Sequence, residues 1–261
     1  MIEKKIVLNS INERLFVETY IPDKIKSTIV FCHGITGCRK GRTQDDSYFQ
    51  VLAEKLMNLN YKVVLFDFSG HGDSEGRDYD VCLDKSTSEL EAVFREEVID
   101  VNNVNFLAFS YGALVLNNFL LRNINVDPKS IVLYSPCLYP LESCFLNPNS
   151  IFGKDIVLAF ENGELKDKGY VVVGAKNFKF GDRMINSCNN IDLSTFKRFS
   201  NNILVLSGKD DVILDVSYND DFCKKNNITN IYLESSHSLF EDIEKAFEFT
   251  IDFFNKKNDN N

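Results

Sequence analysis

Short apolar runs of strand length recur along the chain: KKIVLN, RLFVETYI, STIVFC, YKVVLFDF, VNFLAF, SIVLYS, NILVLS and TNIYLE. Rich in β-branched and aromatic residues and bounded by polar ones or glycine, they read as strands. Helical periodicity fills DSYFQVLAEKLMNLN, TSELEAVFREEVI, YGALVLNNFLLRN, VSYNDDFCKKNN and LFEDIEKAFEFTIDFFNKK. Only NSINE separates the first two strands, which predicts a hairpin. Strand and helix alternate afterwards, so the pattern predicts an α/β fold with a mostly parallel eight-stranded sheet and helices on both faces.

Residues 136–201 break the alternation, since strand-to-helix links are usually about 2 to 6 residues long. Within them, GELKDKGYVVVGAKNFKFGD alternates apolar residues with glycines and predicts a small β-hairpin. Loops that leave the C-terminal ends of parallel strands line the ligand crevice. The expected organisation is therefore a core of residues 1–135 and 202–261, with 136–201 inserted as a lid above the sheet. A polar tail, NKKNDNN, closes the chain.

Composition narrows the function classes. Hydrophobic residues make up 44% and charged residues 26%, an ordinary globular balance. A formal net charge of -9, without a lysine or arginine block, argues against nucleic-acid binding, which depends on neutralising phosphates. No apolar run reaches the roughly 18 residues needed to span a bilayer, and the patch in MIEKKIVLNS is too short for a signal-peptide core. Seven cysteines without a CxxC pair fit a reduced, cytoplasmic setting and suggest neither a zinc site nor a disulfide framework. A homodimer is compatible with the sequence, which does not fix the oligomeric state.

The residues just after each strand are the ones an open parallel sheet offers to a ligand. They read HGITG after STIVFC, SGHGDSEG after YKVVLFDF, SYGA after VNFLAF, GKDDV after NILVLS, and SSHSLF after TNIYLE. Acyl transfer needs a nucleophile, a base, an acid to orient the base, and donors for an oxyanion. Ser110 is the candidate nucleophile, His237 the base, and Asp211 the acid, with Asp210 as its alternate. Serine at a strand-to-helix junction can also be a plain N-cap. A capping box, however, would place Glu or Gln where Ala113 stands. Gly112 permits the close packing that a strained elbow requires, and Ala108 adds one methyl where glycine is usual.

Of the three histidines, His33 and His71 sit beside loop glycines, and only His237 follows the last strand. The order Ser, Asp, His is that of an α/β-hydrolase. Its oxyanion donors would be the main-chain N–H groups of Ile35 and Tyr111. SGHGDSEG lacks the third glycine of a dinucleotide loop, where Glu75 stands, and DDVILDVSYNDD lacks the spacing of a calcium loop.

Taken together, HGITG, DFSGHGDSEG, AFSYGA, GKDDVIL and the late histidine resemble the α/β-hydrolase superfamily. Within it, DFSGHGDSEG, the insertion GELKDKGYVVVGAKNFKFGDRMI and GKDD resemble the bacterial cinnamoyl or feruloyl esterase branch. That resemblance implies a serine esterase for hydroxycinnamoyl or similar aryl esters, with no metal or organic cofactor and a hairpin lid that shapes an acyl pocket. AFSYGA departs from the branch's usual GHSQGG, so Phe109 and Tyr111 are expected to contact substrate and make its pocket more apolar. The substrate would be a small-molecule acyl ester or thioester. The same triad also serves thioesterases, amide hydrolases and acyl transferases, and a non-catalytic binding protein on this scaffold is a further alternative.

Overall fold

A computed structural model describes residues 1–173 and 177–259. Its main sheet has eight strands: β1 (Ile2–Leu8), β2 (Arg14–Tyr20), β3 (Ser27–Cys32), β4 (Tyr61–Phe66), β5 (Val104–Phe109), β6 (Ser130–Tyr134), β9 (Ile203–Gly208) and β10 (Thr229–Leu233). Their spatial order is β1-β2-β4-β3-β5-β6-β9-β10. Pairings of β1 with β2 and of β2 with β4 are antiparallel, and every other pairing is parallel. Strand β3 reproduces STIVFC and β5 reproduces VNFLAF residue for residue.

Period-two alternation divides the core between the two faces. On one, Val30, Val104, Phe106 and Leu133 pack against helices α2 (Leu83–Glu97) and α3 (Tyr111–Arg122). On the other, Phe31, Leu107, Val132 and Leu206 pack against α1 (Tyr48–Asn58) and α9 (Ile243–Asp259). The central strands are buried on both sides, as strands covered by helices must be. Helix α8 (Ser217–Asn226) joins β9 to β10 and packs Phe222 and Cys223 onto the α3 face. Helix α2 starts at Leu83, four positions before the predicted TSELEAVFREEVI, with Leu83 and Ser86 buried and Asp84 left exposed in its first turn.

The segment between β6 and β9 is more helical than the sequence pattern predicts. A single π-type turn (Leu141–Phe145) leads to α4 (Ile151–Glu161) and a one-turn helix, α5 (Glu164–Lys168). The two-stranded antiparallel unit β7 (Tyr170–Val173) and β8 (Phe178–Gly181) follows, then the short helices α6 (Asp182–Ser187) and α7 (Ser194–Arg198). The hairpin is thus shorter than GELKDKGYVVVGAKNFKFGD, and α5 occupies its expected first arm. The expected turn at 174–176 and the last two residues of the polar tail lie outside the described residues. Ser150 starts α4 by accepting the Gly153 N–H at 3.2 Å. Among the described residues all seven cysteines are free and buried, and no helix is long and apolar enough to cross a membrane.

Candidate active site

Strand β5 delivers Ser110 at a sharp turn into α3. Ser110 has φ 51° and ψ -116°, a conformation that costs a non-glycine residue about 1–3 kcal/mol. Packing around it sustains that strain. Its N–H donates to the Tyr134 carbonyl at 2.9 Å, and its own carbonyl accepts from Cys137 N–H at 3.1 Å. A Cβ on Gly112 would collide with the Cys32 carbonyl oxygen, so only glycine lets α3 start this close to β3. The Ser110 side chain makes no cap hydrogen bond to α3, which removes the N-cap reading.

Instead, Ser110 Oγ lies 2.9 Å from His237 Nε2. His237 Nδ1 lies 2.7 Å from Asp211 Oδ2. A carboxylate at that distance accepts a hydrogen bond from Nδ1–H, which leaves Nε2 as the acceptor facing the serine hydroxyl. Asp211 is itself held, since its Oδ1 accepts the N–H groups of Ile213 (2.8 Å) and Leu214 (2.9 Å). Asp210 is exposed and contributes only its N–H, to the Ser235 carbonyl at 3.0 Å. Of the two adjacent aspartates, Asp211 is therefore the one brought to His237.

The loop after β3 closes over the serine. A Cβ on Gly34 would stand 3.1 Å from Ser110 Cβ and 2.8 Å from the Phe109 ring, so Ile35 follows directly above the turn. Neither the Ile35 nor the Tyr111 main-chain N–H donates a hydrogen bond among the described residues. Two anchors fix this loop to the one after β4. His33 Nε2 accepts the Phe68 N–H at 3.0 Å, so its Nδ1 carries the proton and donates to the Gly34 carbonyl at 2.8 Å. Arg39, 2% exposed, donates its N–H to Asp67 at 2.6 Å, while its guanidinium pairs with Asp67 (2.5 Å) and Asp73 (2.7 Å). With its Nε also 3.3 Å from Glu18 Oε2, the buried guanidinium is shared among three carboxylates, which fixes its geometry as well as its charge.

The cleft over Ser110 has a volume of about 280 Å³. Its walls are apolar, formed by Ile35, Phe109, Phe152, Val212 and Ile213, with Arg42 at one side. Phe109 also meets the His237 ring at 5.3 Å between centroids. Tyr111 departs from the expectation that its side chain contacts substrate. It is 1% exposed, packs in the α2–α3 core and donates its hydroxyl to Ser86 Oγ at 3.1 Å. The reason is periodicity: as the first residue of α3, on the far side of the elbow from Phe109, it projects into the helix interface rather than the cleft.

Sequence reasoning also missed Glu241, whose Oε2 accepts from Ser235 Oγ at 2.5 Å and from Ser236 N–H at 3.1 Å, pinning the loop that carries His237. The Ser235 hydrogen bond, with further help from Ser236, pulls the Glu241 carboxyl down to about 2. Its distance from the sheet in the sequence gave no signal of this. Among the described residues, no group of three or more His, Cys, Asp or Glu side chains is placed to hold a metal ion.

A family model described as alpha/beta hydrolase fold matches residues 27–155. No curated protein matches the sequence significantly. Among solved structures, the chain is similar to Est1E from Butyrivibrio proteoclasticus with ferulic acid bound, at TM-score 0.74 and 16% identity, covering 97% of this chain and 98% of that one. It is also similar to an esterase of Pyrococcus furiosus (TM-score 0.66, 18% identity, 98% and 91% covered). A third is the alpha/beta hydrolase GrgF from Penicillium sp. sh18 (TM-score 0.70, 12% identity, 98% and 99% covered). Sheet order, elbow and these likenesses agree that the chain has the α/β-hydrolase fold.

Proposed function

We propose that the chain is a serine hydrolase that cleaves a carboxylic ester through an acyl-enzyme on Ser110. The observation that carries this reading is the hydrogen-bonded series from Ser110 Oγ through His237 to Asp211. Ser110 Oγ attacks the acyl carbon while His237 Nε2 takes the hydroxyl proton. Asp211 holds the resulting imidazolium through Nδ1–H, and the main-chain N–H groups of Ile35 and Tyr111 receive the oxyanion. His237 then gives its proton to the leaving alkoxide, and water repeats the path on the acyl-enzyme.

For the acyl group we propose a small aryl or short acyl chain, with hydroxycinnamic acids within the class. A cavity of about 280 Å³ with apolar walls supports a small group, since it falls just short of the roughly 300–1,000 Å³ of sites for larger organic ligands. The ferulic acid bound in Est1E is consistent with it. Residues 136–201 act as the cap over a core of 1–135 and 202–261, contributing Phe152 to the cleft wall. A panel of aryl, aliphatic and hydroxycinnamoyl esters beside acyl thioesters tests the class. A Ser110→Ala chain that hydrolyses aryl esters at the parent rate contradicts the mechanism.

A further inference from the structure

A second and larger cleft, of about 570 Å³, opens on the other side of the loop after β3. Thr36 and Gly37 line both this cleft and the one over Ser110, so a single molecule can reach from one to the other across two residues of chain. Its remaining walls come from the loop after β4 and from β8, and their character differs from the apolar cleft. Tyr79, in the wall, stacks on Tyr170, which does not itself line the cleft, at 5.6 Å between centroids and 21° between planes. Lys179 Nζ lies 5.1 Å from the Tyr170 ring and 5.9 Å from that of Tyr79. Arg77 donates to the Tyr79 hydroxyl at 2.7 Å.

The charge in this cleft is unbalanced. In a chain of net charge -9, neither Arg77 nor Lys179 has an ion pair among the described residues. The carboxylate beside them, Asp78, is occupied by main-chain donors, accepting the N–H groups of Tyr79 (3.0 Å) and Lys179 (2.8 Å). His71, 6% exposed, forms part of the wall, and its Nε2 has no hydrogen-bond partner among the described residues while Nδ1 contacts the Ser69 carbonyl at 3.0 Å. Burial, with the neighbouring His33, pushes the His71 imidazole down to about 3, so it stays neutral and leaves Arg77 and Lys179 as the cations of the cleft.

We propose that this cleft binds an anionic group of the substrate, a phosphate or carboxylate, with Arg77 and Lys179 as its cations, while the scissile carbonyl lies on Ser110 across Thr36 and Gly37. This rests on the hydrolase reading of Ser110. Two cations without carboxylate partners on a stacked tyrosine pair suit an anion carried on a flat or aromatic body. The anion belongs either to the acyl or to the leaving group, and matched esters separate these sources.

The test uses the full chain, an Arg77→Gln/Lys179→Gln double variant, and a Lys224→Gln/Lys225→Gln control on the exposed face of α8. Binding of phenyl phosphate to Ser110→Ala protein is measured by calorimetry at low salt, with and without the double substitution. The double substitution is expected to weaken binding by about tenfold or more, and the control to leave it unchanged. In parallel, kcat/KM is compared for phenyl butyrate, 4-carboxyphenyl butyrate and monophenyl succinate. One of the two anionic esters is expected to exceed phenyl butyrate by about tenfold, and the double variant to remove that ratio. Phenyl phosphate that fails to bind, or binds equally to the double variant, overturns the proposal. Hydrolysis of all three esters without an anionic preference overturns it as well, and leaves the hydrolase reading standing. Binding lost in the double variant with no ester hydrolysed leaves the anion site standing and removes the hydrolase reading.

Discussion

Around Ser110 the chain is fixed by main-chain packing, whereas around His237 main-chain bonds are joined by side-chain hydrogen bonds to one exposed residue, Glu241. On the serine side, carbonyls of β3 and β6 and the bare Cα of Gly112 leave the turn no alternative position. On the histidine side, Ser235 and Ser236 are tied to a carboxylate in the short turn Phe240–Asp242 that precedes α9. The contrast teaches how strain is held. A residue at φ 51° needs an environment that over-determines it, while an imidazole needs only orientation, which Asp211 and a pinned loop supply.

Substitutions that probe each side should differ accordingly. The largest effects are expected at the groups proposed to react. Ser110→Ala and Asp211→Asn are each expected to lower kcat by about 10⁴-fold or more with thermal stability near that of the parent, the second by disturbing the tautomer of His237. Steady-state kinetics with a chromogenic aryl ester, beside a melting curve, checks both.

Next comes Gly112→Ala, which adds one methyl against the Cys32 carbonyl. Overpacking of this kind costs about 1–3 kcal/mol, and the displaced elbow should lower kcat as well. Denaturant unfolding and kinetics on the same preparation separate the two. An unchanged stability would mean that the elbow is less confined than the backbone contacts imply.

A smaller effect is expected from Glu241→Gln, a positioning change on the histidine side. Removing the charge weakens the bonds from Ser235 and Ser236, so kcat should fall several-fold, about 3 to 10, with KM and stability little altered. Rescue by Glu241→Asp, or its failure, reports how closely the carboxylate must approach. Should kcat be unchanged, the asymmetry between the two sides would lose its histidine half.

The smallest effect concerns stability in acid. Burial alone would raise the Glu18 carboxyl, but hydrogen bonds from Tyr20, Gln50 and Arg39 outweigh it and hold the group below its ordinary 4.5. A folded-state value below the unfolded one stabilises fully above pH 4.5, and the contribution is lost as pH falls through the lower folded value. Melting temperature should therefore decline below about pH 4.5 in the parent, and less steeply in Glu18→Gln. The Glu241 carboxylate, at about 2, keeps the histidine loop pinned throughout this range.

Much of this architecture is legible in residue order. VNFLAF and STIVFC mark central strands because both faces of a covered parallel sheet are apolar, and strand-end loops follow each of them. Ser110, His237 and the aspartate pair are legible because the fold places reacting groups just after strands. Asp211 is already the first choice over Asp210 in the residue order, and the turn geometry supplies the physical reason, since the Asp211 carboxylate is held inward while Asp210 is exposed. The position of Tyr111 is not legible because adjacency to the nucleophile in sequence is not adjacency to the cleft: the start of α3 turns its side chain toward Ser86. Helix α4 was not read because IFGKDIVLAFE keeps apolar residues on several sides, and three of them, Ile151, Leu158 and Phe160, are exposed. Glu241 bonds Ser235 and Ser236 within six residues and Arg77 bonds Tyr79 two residues on, but neither stands directly after a strand, where the ligand-facing pattern points.

The central claim is that Ser110 reacts because His237 and Asp211 make it nucleophilic. Stoichiometric labelling with a fluorophosphonate, followed by peptide mapping, tests it most directly. The account predicts one adduct per chain, on Ser110, formed far more slowly in His237→Ala and absent in Ser110→Ala. An unlabelled parent chain, or an adduct that survives Ser110→Ala, would contradict it.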